Sequence, residues 1–180
     1  MATLKPLSLF AIFVIFLWAP SSEDSAPSAL VKSVCKEVVS FRTTYQCCLD
    51  ALAMDPNSSS ADTKGLARIT IQLGLKNSTA AQKLSSNLLD KNHDQNTSAV
   101  LKICSGWYDA ASASFRSALK ELQTDSLTAS YDVRIVSDDA GYCQSAMSSK
   151  HVKIQSLSAA NGYLKTYSNI AAVVTDRLCS

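Results

Sequence analysis

The sequence predicts an all-α fold: an up-down-up-down four-helix bundle with an N-terminal helical hairpin extension, cross-linked by disulfides. Three observations predict it. Turn-forming residues are scarce, with five Gly and four Pro in 180 residues and no proline after Pro56. A β-sandwich of this size needs many Gly/Pro turns. Apolar residues recur at helical spacing through the later chain, and short polar breaks divide it into helix-length pieces.

The chain opens with a short stretch bearing one positive charge, Lys5, and then an almost unbroken apolar run over residues 7–18. Small residues follow it. This is the pattern of a secretory signal peptide, expected over residues 1–24 with cleavage somewhere between 19 and 26. The run is too short for a membrane-spanning helix, which needs about 20 residues. About 155 residues then remain, one domain by size, able to bury roughly two thirds of its unfolded surface. That domain is expected over residues 28–179, with the hairpin at 28–55 and the bundle at 59–179.

Within the hairpin, Cys35 and Cys48 flank a short turn region. The run Asp55-Pro56-Asn57-Ser58-Ser59-Ser60 closes this region and offers a helix cap. Leu66, Ile69, Leu73, Ala80, Leu84 and Leu88 form the first bundle stripe. Asn92-His93-Asp94-Gln95-Asn96 breaks it. Val100, Ile103, Trp107, Ala110, Ser114, Ala118 and Leu122 form the second, ended by Thr124-Asp125-Ser126. A weaker third stripe holds Tyr131, Ile135, Cys143 and Met147, ended by Ser148-Ser149-Lys150. The last is the most regular: Leu157, Ala160, Leu164, Tyr167, Ala171, Val174 and Leu178 are spaced 3,4,3,4,3,4, a heptad seam. Short loops between long helices imply antiparallel neighbours.

Six cysteines leave the connectivity open. In an antiparallel pair of helices near 96–122 and 127–149, Cys104 and Cys143 both sit about 9–12 Å from the same bundle end, at ~1.5 Å rise per residue, so a bridge is feasible. Cys35 and Cys48 could staple the hairpin. Each bridge would contribute on the order of 3–4 kcal/mol in the chain-entropy model. Vicinal Cys47 and Cys48 are poorly placed to pair with each other. For Cys47 and Cys179 three outcomes stand: a third bridge joining the extension to the end of the last helix, two free thiols, or an intermolecular link. Three sequons, at Asn57, Asn77 and Asn96, are potential N-glycosylation sites; Asn57 and Asn96 fall in expected loops and Asn77 in mid-helix.

The net charge of +2 is spread along the chain without a Lys/Arg cluster, which argues against a nucleic-acid partner. With the signal removed, no membrane association is expected. Catalysis finds little support. The two histidines, His93 and His151, fall in expected loops or helix ends, away from any nucleophile pattern. Asp138 and Asp139 point about 100° apart on a helix, so they do not form an acid/base pair; solvated or capping roles are expected. Neither a metal-ligand pattern nor a glycine-rich phosphate loop is present, and no cofactor is expected. A helical ligand carrier is a further reading, with Trp107, Phe115, Tyr163 and Tyr167 either lining a pocket or, as expected here, filling the bundle core.

The leader, Cys35, Cys48-Leu49-x-x-Leu52, Cys104-x-x-x-Tyr108-x-x-Ala111 and Asp138-Asp139-x-x-x-Cys143 together resemble the plant invertase and pectin methylesterase inhibitor family, over about residues 30–178. The four-cysteine order is the most specific part. Ala61-Asp62-Thr63-Lys64-Gly65-Leu66-Ala67 is most similar to the branch labelled invertase inhibitors. The resemblance implies a helical hairpin before a four-helix bundle, with bridges Cys35–Cys48 and Cys104–Cys143. It implies a secreted, non-enzymatic inhibitor of the apoplast or cell wall, with the vacuole a second location. Cys47 and Cys179 depart from the family pattern.

Family members dock on a target enzyme. Pectin methylesterase is met by faces of the bundle helices, invertase by a Pro-Lys-Phe segment between the second and third of them. Here that connection reads Asp125-Ser126-Leu127-Thr128, which tilts the expected target toward pectin methylesterase and leaves invertase as the alternative. Expected contacts, chosen by helix face alone, are Lys64, Gln72, Lys76, Asp109 and Arg116.

Overall fold

A computed structural model describes residues 26–179; the expected signal peptide, residues 1–24, lies outside them. The described residues form helices and no strand. α1 (Ala29–Glu37) leads through a 3-10 turn, Val38–Phe41, into α2 (Tyr45–Leu52). A second 3-10 turn, Pro56–Ser59, precedes four long helices: α3 (Thr63–Leu89), α4 (Gln95–Glu121), α5 (Ser126–Ser149) and α6 (Gln155–Asp176). Each long helix packs on its sequence neighbours, and α3 closes the ring on α6. This is the expected up-down-up-down bundle, and the α1–α2 hairpin packs on α6.

The polar breaks work as caps. Asp62, Asp94 and Asp125 accept backbone N–H bonds from Gly65, Thr97 and Thr128 at the starts of α3, α4 and α5. Ser28 and Thr44 do the same for α1 and α2. Such caps contribute about 1 kcal/mol each, and a carboxylate there also meets the positive end of the helix dipole. Just past the end of α5, the left-handed φ of 54° at His151 lets Val152 N–H reach back to Met147 carbonyl.

The core follows α6 as the seam predicts: Leu157, Leu164, Tyr167, Ala171 and Val174 are all buried. In α3, α4 and α5 it departs. α3 buries Gly74, Ser78, Ala81 and Ser85 where the expected stripe has Leu73, Ala80, Leu84 and Leu88. α4 buries Cys104, Tyr108, Ala111, Ser112 and Phe115 rather than Ile103, Trp107, Ala110 and Ser114. α5 buries Val133 and Val136 rather than Tyr131 and Ile135.

The physical reason is close helix approach through small residues. Gly74 lies directly against the Phe115 ring, and the Ser78 and Ser112 hydroxyls are 2.8 Å apart across the α3–α4 contact. Those hydroxyls are also satisfied within their own helices, by Leu75 and Tyr108 carbonyls, which makes buried serine inexpensive there.

Cys35 is joined to Cys48 with Cα atoms 5.4 Å apart, and Cys104 to Cys143 at 4.6 Å. The envisaged Cys47–Cys179 bridge does not form; both are free, exposed thiols. The hairpin does not cap the bundle end but lies along α6. Arg177, at the end of α6, bonds Ser33 and Glu37 of α1, while Asn169, two turns earlier, bonds Phe41 and Thr43. The chain then turns back, so Cys47 faces the stretch of α6 around residues 159–169. Cys179 lies about 15 Å further along from Asn169 at 1.5 Å per residue, against the 4.4–6.8 Å that a bridge tolerates.

Candidate functional site: the outer face of α4 and α5

The Cys104–Cys143 bridge sets the register of α4 on α5. One turn along α4, Trp107 stacks on Tyr142 with ring centroids 4.5 Å apart and planes at 29°. That contact fixes which flanks of the two helices share a side. Ile103, Trp107, Ala110 and Ser114 follow at spacings of four, three and four on α4. On α5, Leu127, Tyr131, Ile135, Asp138 and Tyr142 follow at four, four, three and four. Both rows keep to one flank of their helix, so they form one strip along the outside of the α4–α5 contact.

The strip is open to solvent and largely apolar, interrupted by Ser114 and the exposed Asp138. Ile103 is 43% exposed, Tyr142 52%, Tyr131 66% and Leu127 72%, with Trp107 half-buried between them. Single exposed apolar residues mean little, but several large ones on one flank mark a candidate interaction surface. It includes Trp107, Tyr131 and Tyr142, of the residue types that contribute most to binding at protein interfaces.

Behind the strip the structure is rigid. Tyr108, fully buried, donates from its hydroxyl to Asn161 Oδ1 of α6 at 2.8 Å and lies 3.3 Å from Cys143 Sγ. Asn161 Nδ2 donates toward the same sulfur at 3.4 Å. α4, α5 and α6 are thereby tied around the disulfide. Burial pushes the Tyr108 phenol well above its ordinary range, so it stays a donor at any physiological pH.

Asp139 departs from expectation. It is 4% exposed, and its Oδ2 has no hydrogen-bond partner. Burial first, and the neighbouring Asp138 second, raise its pKa to about 6. The solvated role fits Asp138, which is exposed, but not Asp139, which is turned into the bundle. One Asp132 oxygen, two turns earlier on α5, is likewise buried without a partner.

The polar contacts chosen from sequence lie elsewhere. Lys64, Gln72 and Lys76 are exposed on α3, and Asp109 and Arg116 on α4. At about 100° per residue, Asp109 and Arg116 sit on the opposite side of α4 from Trp107. Of the four aromatics expected in the core, Phe115 and Tyr167 are there, but Trp107 and Tyr163 are at the surface. His93 and His151 are both exposed. Asn57 and Asn96 are exposed, whereas Asn77 is half-buried. Among the described residues, no group of three or more His, Cys, Asp or Glu is arranged to hold a metal ion, and no helix is long and apolar enough to cross a membrane. The sequence signal for the strip was present, since Ile103, Trp107, Ala110 and Ser114 already stood out as a stripe; the structure turns that stripe outward.

A disulfide-linked helical bundle offering a rigid apolar helix face defines a class of helical docking proteins. Residues 29–173 match the plant invertase/pectin methylesterase inhibitor family. The chain belongs to that family, and so is an inhibitor of cell-wall enzymes rather than an enzyme. It is similar to the cell wall / vacuolar inhibitor of fructosidase 2 of Arabidopsis thaliana, 32% identical over 141 residues that make up 76% of each chain. It is 29% identical to pectinesterase inhibitor 28 of Oryza sativa subsp. japonica over 122 residues, 63% of this chain and 50% of that one. The crystal structure of mutant form A of a pectin methylesterase inhibitor from Arabidopsis superposes with a TM-score of 0.72 over 83% of this chain and 97% of the other. At 19% identity that likeness concerns the fold.

Proposed function

We propose that this chain is a secreted inhibitor that docks the α4–α5 strip on a pectin methylesterase and covers its substrate cleft. The observation that carries the reading is the strip itself, a rigid apolar helix face centred on the Trp107–Tyr142 stack. An inhibitor of this kind needs no catalytic group, only a preformed surface near 800 Å² per partner. The α4–α5 connection supports the choice of target. It is a short capped turn at Asp125, without the Pro-Lys-Phe segment that the family resemblance associates with invertase.

Invertase is the second reading, favoured by the name of the Arabidopsis thaliana fructosidase inhibitor. The proposal includes loss of a signal peptide near residue 24 and delivery to the apoplast. It also includes glycans on Asn57 and Asn96, whose exposure suits them, and none on half-buried Asn77.

The test titrates a pectin methylesterase and an invertase with the purified protein and with Trp107→Ala, at mildly acidic pH. The expected result is stoichiometric loss of pectin methylesterase activity alone, with the inhibition constant raised at least about tenfold, or 1.4 kcal/mol, in Trp107→Ala. Loss of invertase activity alone moves the target to the second reading. Equal inhibition by Trp107→Ala overturns the α4–α5 strip as the docking face. Inhibition of neither enzyme sinks both readings and favours a helical ligand-binding protein.

A further inference from the structure

On a different side of the molecule, the α1–α2 hairpin does not close fully on α5 and α6. It leaves an open groove of about 740 Å³, within the usual size range of small-ligand sites, about 300–1,000 Å³. Phe41 and Tyr163, both substantially exposed, stand in its walls. Arg42 enters from the hairpin and Lys165 from α6, and neither makes an ion pair among the described residues. The one acid of the groove, Asp50, already accepts a hydrogen bond from Gln46 at 2.7 Å. Hydroxyls, Thr44 among them, make up much of the remaining polar lining.

The hairpin wall of the groove is held in place by the backbone. Arg42 adopts a left-handed backbone, φ 63°, as the cap that ends the Val38–Phe41 turn. The surroundings hold it there. Its own N–H bonds Val39 carbonyl at 3.2 Å, and the preceding Phe41 carbonyl accepts from Asn169 Nδ2 of α6 at 3.0 Å.

We propose that this groove binds an acidic oligosaccharide, with carboxylates on Arg42 and Lys165 and sugar ring faces against Phe41 and Tyr163. A sugar chain presents hydroxyls around its rim and apolar C–H faces, which matches hydroxyl-lined walls bearing two aromatic rings. Two cations against the single Asp50 carboxylate leave the groove net positive, which selects an acidic chain over a neutral one. An extended acidic peptide fits less well. The walls are helices and turns whose backbone groups are largely spent within their own elements, so no sheet edge offers the main-chain pairing that extended peptides use. This site is independent of the α4–α5 strip, so the protein could hold a cell-wall polymer and an enzyme at once.

The experiment is calorimetric titration of the purified chain with tetragalacturonate at low salt, with cellotetraose as the neutral probe. The variant is Arg42→Gly/Lys165→Ala, because glycine accepts the left-handed backbone without strain and both side chains are at or near the surface. Saturable one-to-one binding of tetragalacturonate is expected, weakened at least tenfold in the variant and by rising salt, with no response to cellotetraose. Trp107→Ala should bind as the parent does. No binding of tetragalacturonate overturns the site, and equal binding of both sugars overturns the acidic selectivity. Unchanged affinity in the double variant, with circular dichroism confirming the fold, places the ligand elsewhere and overturns the assignment.

Discussion

Replacing Gly74 with Ala should destabilise this protein, against the usual benefit of removing glycine from a helix. Gly74 lies inside α3. A Cβ built on it would sit 2.3 Å from Phe115 Cζ and 2.7 Å from both Cε atoms. Carbon atoms prefer about 3.5–4.0 Å, so the gap must open by more than ~1 Å. Phe115 is fully buried in α4, so its ring has no solvent side to retreat to. Overpacking of this kind costs about 1–3 kcal/mol, and a clash this deep with a buried ring falls in the upper half of that range. Helix propensity returns about 1 kcal/mol. The net is a loss of about 1–2 kcal/mol, a fall in Tm of roughly 3–6 °C for a domain of this size. Gly106 and Gly141 supply the control within the same protein, because a Cβ at either meets nothing within 4 Å. Ala there should raise stability by about 0.5–1 kcal/mol. Urea and thermal unfolding followed by circular dichroism would measure all three. If Gly74→Ala proves as stable as Gly106→Ala, the close α3–α4 approach described above is wrong. Phe115→Leu should recover part of the loss only in the Gly74→Ala background, a coupling that a double-mutant cycle detects.

Three other outcomes follow from the same structure. The buried Asp139 carboxyl, with a pKa held at about 6 against 3.8 unfolded, favours its protonated form, so its contribution to stability is full below about pH 4 and is lost as pH rises through 6. Asp139→Asn should match the parent near pH 4 and exceed it by on the order of 3 kcal/mol above pH 7, and unfolding midpoints that run parallel with pH in the two proteins would refute the burial of that charge. Tyr108→Phe leaves Asn161 Oδ1 without its donor in the core and should cost about 1–3 kcal/mol in unfolding experiments, whereas a loss below 0.5 kcal/mol would mean that water or a rotated amide replaces the bond. Exposed Cys47 and Cys179 should react with a thiol reagent in the native, non-reduced protein, and mass analysis should find both alkylated and the other four cysteines protected; two protected thiols there would restore the third bridge.

The sequence makes the fold legible wherever chemistry is local. Scarce proline, aspartates at the breaks and the α6 seam each act within a few residues, and the helices begin where those caps lie. What stays hidden depends on which face a neighbour covers. Ser78, Ser85 and Ser112 count as polar by composition but are buried, two of them with their hydroxyls bonded inside the fold. Leu73, Leu84 and Leu88 count as core but are only partly covered. Hydropathy cannot see that small residues let backbones approach, so it shifts the stripe by about one residue in α3 and α4. The hairpin's lie along α6 was hidden for a related reason. Besides its buried Val31, Val34 and Leu52, it is fixed by Asn169 and Arg177, polar side chains on α6 and at its end, in a helix otherwise read only for its seam.

The misphased stripe is also the reason to place function on the α4–α5 flank. A helix in this bundle needs one apolar face, and α4 has it in Val100, Cys104, Tyr108, Ala111, Phe115 and Ala118. Ile103 and Trp107 add a second row that the core does not use. Leaving a large apolar side chain in water forgoes about 1.5–3 kcal/mol of burial, so a row of them is a standing loss in the free protein. The disulfide beside the row, closing a 39-residue span, contributes about 4 kcal/mol in the chain-entropy model, enough to offset such a loss. The same bridge holds Trp107 and Tyr142 in their stacked arrangement before any partner arrives, and a surface already ordered loses less entropy on binding. A helix-face inhibitor must combine exposed apolar area with a backbone that does not yield, and in this chain the two properties meet at Cys104 and Cys143.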